Sequence, residues 1–215
     1  MRNDREFFVR AVLAWGRAHL RKFPWREEKD PWRILIAEIL LQRTTPGHVV
    51  RVYEEFVRRF PDPPSLARAS REEVERVIFP LGMIKRAGTL VRMARLICEK
   101  YGGRVPDDVR ELMRLPGVGR YTAHGVLCLA YGRPVPMIDV NSARVVRRFF
   151  GLPSDKKPKE DEELWAFATE LVPAEEPALF NLALLDLGAT VCRDRKPECE
   201  RCPLSERCLF RKNPG

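Results

Sequence analysis

Residues 110–132 read RELMRLPGVGRYTAHGVLCLAYG, two helical patterns joined by a glycine-rich turn. One helical pattern stops at Leu115-Pro116, Gly117-Val118-Gly119 makes a tight turn, and a second helix starts at Arg120. Two glycines this close let backbone amides crowd against an anion, and the following helix adds the positive end of its dipole. Such a turn can seize a phosphate without reading a base. A lone Gly-x-Gly is more often an ordinary joint between helices; the whole LPGVGRYTA string is far more specific.

Working outward, apolar residues recur at helical spacing along the chain. Residues 4–20 form an amphipathic helix through Phe8, Val12 and Trp15. Asp30-Pro31 supplies an N-cap and a first-turn proline for a helix to about Thr44. Further helices are expected at 48–60, 71–79, 86–101, 108–114, 120–131, 142–150, 161–172 and 178–191. Ser70 with Glu73 makes a capping box at the second of the two opening members of that series. Joints rich in proline and glycine fall at 60–64, 102–107, 132–136 and 151–158. No alternating strand pattern occurs, so the sequence predicts an all-α protein.

At 215 residues and 45% apolar content, the chain can bury a core in one or two domains. Its formal charge of +9, with arginine outnumbering lysine, suits a polyanionic partner, nucleic acid before membrane. The same charge is equally compatible with a well-solvated surface. The opening MRNDREFFVRAVLAWGRAHL lacks the uncharged apolar core of a secretory signal, and no stretch is apolar enough to span a bilayer. A cytoplasmic, nucleoid-associated location is therefore expected, with no membrane partner.

Two carboxylates draw notice. From Ile34 to Leu41 every residue is apolar except Glu38, so that helix should be buried all round. A carboxylate there is expensive unless paired or protonated, and burial pushes its pKa upward. It reads as a working acid, against the plainer role of bonding a neighbouring helix end. In VPMIDVNSARVVRRFFG, residues 135–151, Asp139 or Asn141 would cap the helix of residues 142–150. An aspartate at a helix N-terminus keeps its charge more easily, which suits it to face a developing cation or to polarise a water.

The tail VCRDRKPECERCPLSERCLF, residues 191–210, holds four of the six cysteines, with Cys192, Cys199, Cys202 and Cys208 in a Cys-x6-Cys-x2-Cys-x5-Cys spacing. In a cytoplasmic setting clustered thiols more often hold metal than form disulfides. Chemistry alone leaves zinc possible, although zinc sites usually pair two short-spaced knuckles and only one is present here. Cys98 and Cys128 lie in apolar helices and read as inert core residues.

The LPGVGRYTA turn, the aspartate some twenty residues after it and the cysteine tail together resemble the helix-hairpin-helix base-excision DNA glycosylases, the endonuclease III and MutY superfamily. The resemblance implies a six-helix barrel over residues 24–134, with the helix-hairpin-helix at about 108–131. It also implies a cluster domain from 1–23 and 135–215, a [4Fe–4S] loop at 192–208, and an active site in the cleft between the domains. Cys192, Cys199, Cys202 and Cys208 would ligate the cluster. Asp139 would be the catalytic aspartate, and Glu38 a pocket glutamate that assists base departure. Gly117 and Gly119, with Arg120, would grip a DNA phosphate. Gln42, Arg43, Met83 and Asn141 would contact DNA, with Arg43 and Met83 filling the gap left by a flipped base. The implied partner is double-stranded DNA with a mismatched or damaged base, bound by a monomer.

One position bears on the reaction. Endonuclease III-like enzymes place a lysine just after GVGR, whose amine attacks the sugar and leads to strand cleavage. Here that residue is Tyr121, and no lysine occurs between Lys100 and Lys156. The expectation is a glycosylase that stops at the abasic site, with Tyr121 packing on the base or sugar. EILLQRTTPGHV and the run from Leu171 through Cys202 are similar to the mismatch-specific thymine glycosylases, which remove thymine or uracil opposite guanine. A MutY-type adenine glycosylase is the first alternative, and a helix-hairpin-helix DNA-binding protein without catalysis the second.

Overall fold

The structure, a computed structural model, describes residues 2–212, and among them every regular element is helical. In chain order the α-helices are α1 (Arg2–His19), α2 (Pro31–Leu40), α3 (Pro46–Arg59), α4 (Pro63–Arg68), α5 (Arg71–Ile78) and α6 (Ala87–Tyr101). They continue with α7 (Val109–Met113), α8 (Arg120–Leu129), α9 (Val140–Phe150), α10 (Glu162–Thr169), α11 (Pro177–Thr190) and α12 (Leu209–Lys212). The chain forms two compact units, one of Lys22–Tyr131 and one of Met1–Arg21 with Gly132–Gly215.

In the Lys22–Tyr131 unit, α2 is the central element. Asp30 caps it by accepting from Trp32 N at 2.8 Å and Arg33 N at 3.2 Å, and Pro31 takes the first turn, where no amide donor is needed. Ile34 through Leu40 are all buried, and α2 packs on α3 and α8. Each buried Ile or Leu side chain contributes about 1.5–3 kcal/mol, so the rotation of this helix is tightly set. Trp32 Nε1 also donates to Phe60 O at 3.0 Å, tying the start of α2 to the end of α3. The Ser70–Glu73 capping box forms at the start of α5.

Several boundaries differ from expectation, and two of them have a plain local reason. Helix α2 stops at Leu40 instead of running to Thr44, because the backbone turns left-handed at Arg43, with φ of 63°. The joint read at 60–64 instead opens α4. There Asp62 and Ser65 form a capping box, and the prolines occupy the first turn.

In the other unit, α11 packs on α1 and α9. Phe8, Phe149, Trp165 and Phe180 lie at the heart of the core, with Phe8 and Phe149 centroids 5.0 Å apart. Helix α11 is buried around its whole circumference, yet it carries Asn181 and Asp186. Both are satisfied: Asn181 Oδ1 accepts from Met137 N at 2.8 Å, and Asp186 takes the backbone and guanidinium of Arg21. Close approach of α1 to α11 depends on Gly16, where a Cβ would fall 2.5 Å from Ala183 Cβ. Cys128 is fully buried and Cys98 half-buried, and burial pushes the Cys98 thiol up. No described helix is long and apolar enough to cross a membrane.

Candidate functional site

Within the Lys22–Tyr131 unit, Glu38 sits on α2 with 6% of its surface exposed. The facing residue is Gly125 of α8. A Cβ built there would lie 3.1 Å from Glu38 Cδ and 3.4 Å from Oε1. Glycine in a helix interior costs about 0.5–1 kcal/mol relative to alanine. Here it leaves the groove in which the carboxylate lies. Sequence reading overlooked Gly125, although a glycine inside the apolar GVLCLA run of α8 was the signal to follow.

The turn before α8 has the expected form. Gly117 is left-handed, with φ of 86°, and Gly119 is the extended N-cap of α8. Both glycines are exposed, while Arg120 and Tyr121 open the helix half-buried. Gln42 Nε2 donates to Gly117 O at 3.1 Å and lies 3.2 Å from Thr122 Oγ1, so the turn after α2 is tied to the hairpin. Arg43, one residue on, is exposed. Met83 differs from what its expected role suggested. It is only 8% exposed, whereas the neighbouring Ile84, at 38%, and Phe79, at 66%, are apolar side chains that this loop presents to solvent.

In the discontinuous unit, Asp139 is the N-cap of α9, and Asn141 lies within the first turn. Asp139 Oδ1 accepts from Asn141 N and Ser142 N, each at 2.8 Å, and Oδ2 accepts from Asn141 Nδ2 at 3.0 Å. Ser142 Oγ in turn accepts from Asp139 N at 2.8 Å, closing a capping box. The carboxylate is thereby fixed at the positive end of α9.

This corner is buttressed by residues that sequence reading did not single out. Arg144 Nη2 donates to Asn141 Oδ1 at 3.0 Å and Gly188 O at 2.7 Å, and its Nε donates to Cys192 O at 2.7 Å. Gly188 lets α11 come against the start of α9; a Cβ there would stand 2.6 Å from Asn141 O.

Cys192, Cys199, Cys202 and Cys208 line one small pocket together with Arg148 and Pro197, and all are free thiols. Among the described residues no three His, Cys, Asp or Glu side chains meet as a metal-holding group. The four thiols share a lining without forming a closed coordination shell. Burial pushes the Cys202 thiol up to about 11, and the three neighbouring cysteines add to the rise. Burial likewise raises Cys208. Four thiolates could coexist here only around cations, so the donor set fits a metal cluster. Arg148 Nη1 lies 3.6 Å from Cys192 Sγ and donates to Arg193 O at 2.7 Å. Arg193 and Arg201 both pair with Glu198, so part of the positive charge of this loop is already countered.

Residues 36–169 match the family model of the HhH-GPD superfamily of base excision DNA repair proteins, and the chain belongs to that family. It is 44% identical to a thymine-DNA glycosylase of Aeropyrum pernix, across 97% of this chain and 96% of that one. It is 41% identical to an adenine DNA glycosylase of Mycobacterium tuberculosis, across 93% of this chain but 66% of that longer protein. Among solved structures it superposes on a thermostable thymine-DNA glycosylase with a TM-score of 0.94 at 38% identity, covering 98% of both chains. A non-covalent endonuclease III–DNA complex superposes with a TM-score of 0.85 at 25% identity, over 99% of this chain and 97% of that one.

Proposed function

We propose that this chain is a monofunctional DNA glycosylase that removes thymine or uracil opposite guanine from duplex DNA and leaves an abasic site. The observation that carries the reading is its likeness to thymine-DNA glycosylases along almost their whole length. The chain is 44% identical to one such enzyme and superposes on another with a TM-score of 0.94. Tyr121 supports the monofunctional part: a phenol in the first turn of α8 can pack or donate a hydrogen bond but cannot form a Schiff base.

In the reaction the bond between C1′ and the base nitrogen breaks, and the base leaves with the electron pair. The sugar gains positive charge while the base gains negative charge. Asp139, held by its backbone donors, faces the sugar and stabilises the first. Glu38 acts on the departing base, directly or through water, and water completes the exchange at C1′ and gives up a proton. Gly117, Gly119 and Arg120 hold a phosphate of the flipped strand. Gln42, Arg43, Met83 and Asn141 serve the DNA contact, with Met83 working from beneath the loop surface.

The four cysteines fit a [4Fe–4S] cluster, whose irons would neutralise the thiolates and fix the loop at 192–208. Asp139 argues against a DNA-binding protein without catalysis, because simple binding has no need of it. The protein acts as a monomer on the DNA of the cytoplasm.

The test is base release from duplexes carrying G·T, G·U, G·A and 8-oxoguanine·A, with alkali added after the reaction. Release from G·T and G·U alone, with breakage only after alkali, is expected. Release of adenine alone would overturn the substrate assignment. Iron at about four per chain in natively purified protein is the matching expectation for the cluster, and stoichiometric zinc without iron would contradict it.

A further inference from the structure

Arg86 precedes α6 and reaches back across two loops. Its Nη1 donates to Ile39 O at 3.2 Å and lies 3.6 Å from Met83 Sδ, while its backbone amide donates to Met83 O at 2.7 Å. Ile39 is the residue after Glu38, in the last turn of α2, where the helix dipole leaves partial negative charge. The same carbonyl accepts from Gln42 N at 3.2 Å, so one oxygen joins the guanidinium to the turn that carries Arg43.

The arrangement is costly. Arg86 is half-buried, and burial together with the positive charge of Arg43 pushes its pKa down. A half-buried cation that answers to carbonyl and sulfur acceptors contributes little net stability. Beside it, Arg43 holds a left-handed backbone that non-glycine residues adopt only under strain, and such strain concentrates at functional sites. Two arginines repelling each other, one clamped and one strained outward, do not serve stability. They serve geometry.

We propose that Arg86 is a positioning residue that locks the turn at 41–45 to the loop at 79–86, so that Arg43 and the exposed Ile84 meet the duplex as one fixed edge. Without the clamp, Met83 and the end of α2 would move independently, and the pairing of the target base would be sensed less sharply. This inference rests on the glycosylase reading, and the experiment separates the two.

Hydrogen exchange of the DNA-free protein is measured for wild type, Arg86→Met and Arg86→Lys, alongside single-turnover release from G·T and A·T duplexes. Arg86→Met should speed exchange about tenfold at 41–45 and 79–86 while amides within α6 and α8 keep their protection. It should shrink the G·T to A·T rate ratio about tenfold, with KM on G·T changing less than kcat. Arg86→Lys keeps the charge and can reach one of the two acceptors, so it should fall between wild type and Arg86→Met in both readouts.

Three results overturn the proposal: unchanged exchange in the two segments, faster exchange throughout residues 22–131, or an unchanged rate ratio in a variant whose segments have loosened. If wild-type protein releases neither thymine nor uracil, the functional reading fails. The exchange comparison, made without DNA, then decides the clamp by itself.

Discussion

Glu38 and Asp139 lie in different units and have different surroundings. Glu38 rides on a helix buried among apolar residues, and its room comes from the missing side chain of Gly125. Asp139 is gripped by donors from Asn141 and Ser142, and Arg144 braces Asn141 in turn. In the first case a substitution can fill the space that the acid occupies; in the second, it can remove the donors that grip the acid. An acid in a groove cleared by a glycine should be sensitive to volume and to the rotation of its helix. One placed by donors should be sensitive to loss of charge and of bonding partners, while tolerating isosteric neighbours.

Neutralising each acid without changing its shape should have the largest effect. Asp139→Asn keeps a good N-cap residue, so the fold should persist. Glu38→Gln keeps the volume that Gly125 accommodates. Each should lower single-turnover base release by about 10²–10⁴-fold while binding of a G·T duplex changes by less than about threefold. Equal loss of binding and release would show that the residue supports the fold or the DNA contact instead of the chemistry. Tyr121→Lys is the companion change. An amine at that place should yield some strand cleavage and a borohydride-trapped adduct, neither of which the wild type should give.

Next come the two glycines. Gly188→Ala sets a methyl 2.6 Å from Asn141 O, a backbone atom that cannot step aside cheaply. Overpacking of this kind costs about 1–3 kcal/mol, and thermal unfolding should report it. Gly125→Ala meets the Glu38 side chain first, at 3.1 Å. There the better helix propensity of alanine, worth about 1 kcal/mol, offsets most of the crowding, so stability should change little. Base release should nevertheless fall about tenfold as the carboxylate shifts. If Gly125→Ala unfolds the protein and Gly188→Ala does not, the contrast between the yielding neighbour at Gly125 and the unyielding one at Gly188 is wrong.

What could be read in the sequence follows the same division. Helices with caps, apolar periodicity and first-turn prolines were legible, because those signals are local: Asp30-Pro31 opened α2, and Ser70 with Glu73 opened α5. The hairpin glycines and the cysteine spacing were legible for the same reason. Helix α4 was missed because consecutive prolines look like a joint until Asp62 and Ser65 are seen to close a capping box. The premature end of α2 was invisible because nothing in LQRTT announces a left-handed arginine. Burial of Met83, the braces at Arg144 and Arg148, and the clearances at Gly125 and Gly188 all depend on residues distant in the chain. Spacing along a sequence cannot report them.

The smallest expected effect tests the strained edge beside Glu38. A left-handed backbone costs an L-residue about 1–2 kcal/mol, and glycine escapes that cost. Glycine also widens the unfolded ensemble, which subtracts about 0.4–1 kcal/mol from the gain. Arg43→Gly should therefore raise stability by about 0.5 kcal/mol net, a shift measurable by denaturant titration. The same change removes a guanidinium that can donate to the carbonyl of the orphaned guanine, so the preference for G·T over A·T should narrow. Stability and discrimination should thus move in opposite directions. If Arg43→Gly leaves discrimination intact while stability rises, the strained arginine is not a reader of the opposite base, and the geometry that Arg86 maintains must be presenting Ile84 instead.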